Sequence, residues 1–163
     1  MKSLPIHTFA EQARAFCGWA TGLDESEMTA ASALARVCSL YVAALSLPHP
    51  WSEGLAGKLA EAEPASGGTQ LKTGRVSQLP FQVYWEVFDP LNNPPGEPVA
   101  GDIVDDIGDI YRDVARGLVL YEAGREDEAL WEWGFNFRIH WGEHATGAIR
   151  ALHAFLSQEN PDG

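Results

Sequence analysis

Four aspartates, Asp102, Asp106, Asp109 and Asp113, recur at steps of 4, 3 and 4, and two histidines, His140 and His144, stand 4 apart. At helical pitch, about 100° per residue, such spacings set each group in a column on one helix face. Columns of carboxylates are how helical bundles hold divalent cations, and neutral imidazoles at i and i+4 can share one transition metal. The candidates for that chemistry are Asp102, Asp105, Asp106, Asp109, His140 and His144. Glu143 would be the general base beside such a metal. The plainer alternative is structural. Like charges four apart repel by a few tenths of a kcal/mol. A solvated edge, the helix N-terminus and the nearby Arg112 and Arg116 would offset that. His–Asp hydrogen bonds could then simply hold two helices in register.

Other catalytic patterns are missing. The string His140-x-x-Glu143-His144 fits the inverted zinc-protease motif, but those proteases take a further ligand well downstream, and too little chain follows His144. Gly67-Gly68 lacks the GK[ST] of a phosphate-binding loop. No serine or cysteine stands in a nucleophile elbow.

The elements that must position these residues read as helices. Pro5 and Thr8 open a first helix with Phe9, Ala13, Phe16, Cys17 and Ala20 on one face, and Gly22 closes it. Asp24 or Ser26 caps a second helix to about Leu47, stopped by Pro48-His49-Pro50. Ser52 to Ala62 reads as a shorter, weaker helix. Residues 63–78 and 92–98 are rich in Gly, Ser, Thr and Pro and read as loops, with a frayed tail at 158–163. Leu79 to Pro90 is aromatic enough for a strand, but no partner strand is visible, so a short helix or turn is expected.

Val99 to Tyr121 is a long helical pattern. Ile103, Ile107, Ile110, Val114, Leu118 and Tyr121, at steps of 4, 3, 4, 4 and 3, form its core stripe. The aspartate column lies roughly 100° around from it, with Asp106 nearest the core. A last helix spans about Arg125 to Ser157. Its inward face collects Ala129, Trp133, Phe137, His140, His144, Ala148, Ala151 and Phe155, with Trp131 on the opposite side. A short turn at Gly124 makes the last two helices antiparallel neighbours. Asp109 then falls level with Ile139 and His140, and Asp105 and Asp106 level with His144. The expected fold is an all-α, single-domain helical bundle over residues 1–163 with an irregular Gly/Pro-rich middle.

Composition narrows the partners. The 163 residues carry 11 Lys plus Arg against 23 Asp plus Glu, a formal charge of −12. That balance argues against a phosphate-backbone binder and against an anionic membrane surface. No apolar run reaches the length of about 18 residues that a membrane span requires. The first twenty residues lack a signal-peptide pattern. The two cysteines, Cys17 and Cys38, make no disulfide framework and read as small buried thiols. A cytoplasmic compartment is expected.

The run Tyr84-Trp85-Glu86-Val87-Phe88-Asp89-Pro90-Leu91 is followed by Asp105-Asp106-Ile107-Gly108-Asp109-Ile110-Tyr111-Arg112-Asp113. Then come His140-Trp141-Gly142 and Ala148-Ile149-Arg150-Ala151-Leu152-His153. Together these resemble a group of small bacterial proteins catalogued as domain of unknown function 5063, over most of the chain. The N-terminal half matches in apolar pattern alone. The resemblance implies a helical fold and a bacterial origin, and no activity. It implies that Asp–x–x–Asp–Ile–Tyr is the characteristic segment, with a structural or ligand role for Asp106, Asp109 and Tyr111. It also implies that His140 and His144 are less fixed, since a tyrosine can stand at the first, which weighs against the metal reading. The function expected from all of this is a small binding, adaptor or regulatory protein whose acidic helix face meets a basic protein or peptide. The alternative is a metal-dependent hydrolase, with a divalent metal ion as its cofactor.

Overall fold

A computed structural model describes residues 4–49, 71 and 73–159. The first helix, α1, spans Leu4–Thr21, and α2 spans Ala30–Ala44. A single turn, α3, covers Thr73–Val76. Strands β1, Val83–Glu86, and β2, Val99–Asp102, form an antiparallel pair. Helix α4 spans Ile103–Glu122 and α5 spans Glu126–Asn136. A π-turn over Phe137–Trp141 joins α5 to α6, Gly142–Glu159. Helix α4 packs against α1, α5 and α6, while α2 closes over α1 and α6. The helical class expected from the sequence is therefore the class observed. Among the described residues no helix is long and apolar enough to cross a membrane.

Glycines end the helices as their positions predict. Gly124 takes φ +76°, its N–H donates to Tyr121 O at 3.0 Å, and the Arg125 N–H donates to Leu120 O at 3.0 Å. Those two bonds satisfy the carbonyls left over at the end of α4 and reverse the chain into α5. Gly22, at φ +82°, ends α1 in the same way. The start of α2 falls later than expected. Thr29 and Ser32 form a reciprocal capping box there. Asp24 is already occupied, accepting from the Ser26 N–H at 3.1 Å and from Arg36 at 3.3 Å.

The middle of the chain corrects the expectation of a short helix or turn at Leu79–Pro90. Val83 pairs with Asp102, Tyr84 with Gly101, Trp85 with Ala100 and Glu86 with Val99. The Ile103 N–H then donates to Gln82 O at 2.9 Å, so α4 starts directly out of β2 rather than at Val99. The loop expected at 92–98 is present as irregular chain. Within 63–78, a turn of helix stands at Thr73–Val76, and residues 63–70 lie outside the described residues, as does the helix expected at Ser52–Ala62. At the C-terminal end α6 continues through Glu159, past the expected fray at 158.

The core runs through Phe9, Phe16, Trp19, Leu40, Ile103, Ile107, Ile110, Trp133, Trp141 and Leu152, all fully buried. Both cysteines are free, and burial raises both thiol pKa values, Cys17 to about 12.

Candidate metal centre

The π-turn decides where the histidines point. A continuous α-helix would have carried Trp133, Phe137, His140 and His144 along one inward stripe. Instead the buried positions run Ala129, Trp133, Trp141, Ala145, Ala148 and Leu152, with Phe137 partly buried between the two tryptophans. Steps of four from 129 to 145 would drift about 40° per turn on an α-helix. The wide turn at Phe137–Trp141 absorbs that drift, in effect inserting one residue. Trp141 therefore takes the core place expected for His140. The histidines move to the core edge that faces α4.

The wide turn depends on one small residue. A Cβ on Gly142 would collide with the Phe137 carbonyl oxygen, which the turn brings inward. Gly142→Ala is expected to displace the π-turn and swing His140 away from His144. A crystal structure of the variant checks this: an unchanged turn with a methyl group accommodated at 142 would contradict it.

On α4, Asp102 is not part of the histidine cluster. It is the N-cap, accepting from the Val104 N–H at 2.8 Å and the Asp105 N–H at 3.3 Å. Asp105 is exposed in the first turn, where the helix dipole favours its charge. Asp106, Asp109 and Asp113 are buried, at 5%, 9% and 3% exposure. All three meet the histidines. His144 Nδ1 lies 2.8 Å from Asp106 Oδ1, and His140 Nδ1 lies 2.7 Å from Asp113 Oδ2. Asp109 stands between the two rings, its Oδ2 3.2 Å from His144 Nε2 and 3.7 Å from His140 Nε2. The antiparallel register thus brings His144 to Asp106 and both rings to Asp109. It also brings in Asp113 as the closest partner of His140, which equal counting from Gly124 missed by one helical turn.

An aspartate carboxylate can only accept, so each Nδ1 carries the proton. In the neutral rings the lone pair is then on Nε2, and both Nε2 atoms turn toward Asp109 Oδ2. The orienting carboxylates are themselves held. The Tyr84 hydroxyl donates to Asp106 Oδ2 at 2.7 Å, and Arg116 donates to Asp113 Oδ1 at 2.9 Å. Arg116 also pairs with Glu132, which accepts from the Asn136 amide at 2.9 Å. Arg112 binds Asp109 Oδ1 at 2.6 Å and leaves Oδ2 to the rings.

Tyr84 reaches this place because two glycines clear a slot for it. A Cβ on Gly101 would strike its ring, and one on Gly147 would crowd its hydroxyl and the Glu86 carboxylate. The inward face of β1 thereby lies against α6. Burial, then the hydrogen bond to Asp106, raises the Tyr84 pKa far above the usual phenol value, so it remains a donor. Burial also raises Glu86, helped by the charges of Asp106 and Glu143.

The hydrogen bond that His144 donates to Asp106 raises the His144 pKa above 6.5, against the cost of burial, with further help from the charges of Asp106, Asp109 and Asp105. A raised histidine contributes stability that is full below its unfolded pKa and is lost as pH rises through the folded value. Without metal, the melting temperature is expected to fall as pH rises from about 6 through neutrality, on the unperturbed histidine scale. His144→Gln should flatten that slope. Melts across this pH range check it, and a slope unchanged in the variant would contradict the assignment.

Among the described residues, Asp109, His140 and His144 form the group of three His, Cys, Asp or Glu donors that could hold a metal ion, their donor atoms within 4.8 Å of one another. Metal bonds of about 2.0–2.1 Å set neighbouring donors roughly 3.0–3.4 Å apart. The 3.2 Å and 3.7 Å separations need only a small closing of the rings to reach that range. Carboxylates behind each Nδ1 are the usual outer layer of a histidine metal site. The residues present fit a divalent transition metal.

The family model described as Domain of unknown function (DUF5063) matches residues 3–158. Among solved structures, protein BF1032 from Bacteroides fragilis has a similar fold, with a TM-score of 0.68 over 93% of this chain and 91% of that one, at 18% identity. At that identity the likeness is one of fold alone. No curated protein matches the chain.

Proposed function

The chain belongs to the DUF5063 family, whose description assigns no chemistry, and from its own geometry we propose that it is a divalent-metal-binding protein. Asp109 Oδ2, His140 Nε2 and His144 Nε2 are the ligands. One observation carries the reading. Each histidine has its Nδ1 held by a dedicated aspartate, so that both Nε2 atoms converge on a third carboxylate. Register-fixing alone would need the Nδ1 bonds and no convergence. Two imidazoles and one carboxylate suit zinc, iron, cobalt, nickel or manganese better than calcium or magnesium, which prefer oxygen alone.

Equilibrium dialysis tests the proposal. Wild-type protein is expected to hold one equivalent of Zn²⁺ or Co²⁺, His144→Ala none, and His153→Ala, an exposed site further along α6, the full equivalent. Equal retention by His144→Ala would overturn it.

A second reading, docking of a protein partner, is favoured by a separate observation. Val83 and Trp85 on the outward face of β1, and Phe88 and Leu91 in the loop beyond, are 60–91% exposed. The aspartate column itself offers less to a basic partner, because three of its four members are buried and paired.

A further inference from the structure

We propose that the metal at this centre is coordinatively open, binding water and then a small oxygen- or nitrogen-donor ligand from solvent. This rests on the metal-binding reading above and goes beyond it, since a site that only braces the fold would be closed. Structural zinc sites take four protein ligands, whereas catalytic ones take three and keep a place for water or substrate. Two histidines and one carboxylate on one face are the set that leaves metal positions free for exogenous ligands.

The chain has no fourth ligand in reach among its described residues. Asp106 and Asp113, the carboxylates bonded to the two rings, both stand behind the imidazoles, on the Nδ1 side. Their oxygens are already committed. Asp106 uses Oδ1 on His144 and Oδ2 on Tyr84, and Asp113 uses Oδ2 on His140 and Oδ1 on Arg116. Releasing any of these oxygens would break a hydrogen bond to a buried carboxylate. Asp109 presents Oδ2 to the rings, with Oδ1 paired to Arg112 at 2.6 Å. The protein therefore offers three single donor atoms.

The centre is also reachable. The His140 and His144 side chains are 37% and 28% exposed, although the aspartates beneath them are buried. The ligands come from α4, the π-turn and the start of α6. Apart from Asp109 Oδ2, which faces the two Nε2 atoms, the carboxylate oxygens here already have partners in the fold. A metal bound here would be free to exchange its outer ligands. Bound water on such an ion is acidified, which makes it a nucleophile near neutral pH.

The test uses Co²⁺-loaded wild-type protein and its visible spectrum, titrated with azide and separately with imidazole. The second probe is neutral, so repulsion by the acidic surroundings cannot mask an open position. Saturable shifts of the cobalt bands, with the metal still bound after dialysis, are expected. Bound cobalt whose bands do not move with either probe would overturn the open centre while leaving the metal-binding reading intact. A protein that retains no cobalt would overturn both.

Discussion

Divalent metal at 100 times its dissociation constant is expected to stabilise the protein by about 2.7 kcal/mol. For a domain of this size that is a rise in melting temperature of roughly 5–11 °C. The direct ligands and the residues behind them should separate cleanly by this increment. His140→Ala, His144→Ala and Asp109→Ala each remove a donor and should abolish it. Asp106→Asn and Asp113→Asn keep the donors but loosen the rings, a change that typically costs 10–100-fold in affinity. At the same metal concentration their increment should shrink to about 0.4–1.4 kcal/mol. The increment is the quantity to compare, because each variant also loses a buried His–Asp pair and starts from a lower metal-free melting point. A full increment in His144→Ala would mean that the metal sits elsewhere.

Trp133→Ala should have the largest effect on the metal-free protein. The indole is fully buried, packed 4.7 Å from Phe9 and 5.8 Å from Tyr121 between ring centroids. Its Nε1 donates to Val114 O at 2.9 Å, and Gly117 leaves the gap in α4 through which it approaches. Truncating such a side chain costs about 3–5 kcal/mol. Trp131 is half-buried, stacked on Phe135 at 4.6 Å, and its removal should cost about 1 kcal/mol. Chemical denaturation of the two variants checks the ordering. Equal midpoints would mean that the phase of α5 is misassigned.

What the sequence revealed, and what it hid, follows from the range of the interactions involved. The helix ends at Gly22 and Gly124 are local events and could be read directly. So could the core stripe of α4, where Ile103, Ile107, Ile110 and Val114 are fully buried. The hairpin register followed from the Gly124 turn and brought Asp106 to His144. The π-turn was hidden because a heptad-like reading prefers the step from Phe137 to His140 over the step from Phe137 to Trp141. The signal was present in Trp141, a large apolar residue left off the expected stripe, with a glycine directly after it. The strand pair was hidden because Val99-Ala100-Gly101-Asp102 has no alternation of its own. Gly101 is there for the Tyr84 ring, and that contact spans 17 residues of sequence. Tyr84 could not be tied to the site without β1, nor Asp113 to His140 without the exact pitch of both helices. The buried aspartates also change the role of the acidic column. Three of its carboxylates are buried and paired between the helices.

Anomalous diffraction from crystals of the zinc- or cobalt-loaded protein tests the central claim most directly. The account predicts one strong peak between α4 and α6, about 2.0–2.2 Å from His140 Nε2, His144 Nε2 and Asp109 Oδ2. Asp106 and Asp113 should remain on the Nδ1 atoms, outside the first coordination shell. A peak on the carboxylates of Asp105, Glu86 or Glu143, or no peak between the two histidines, would contradict it.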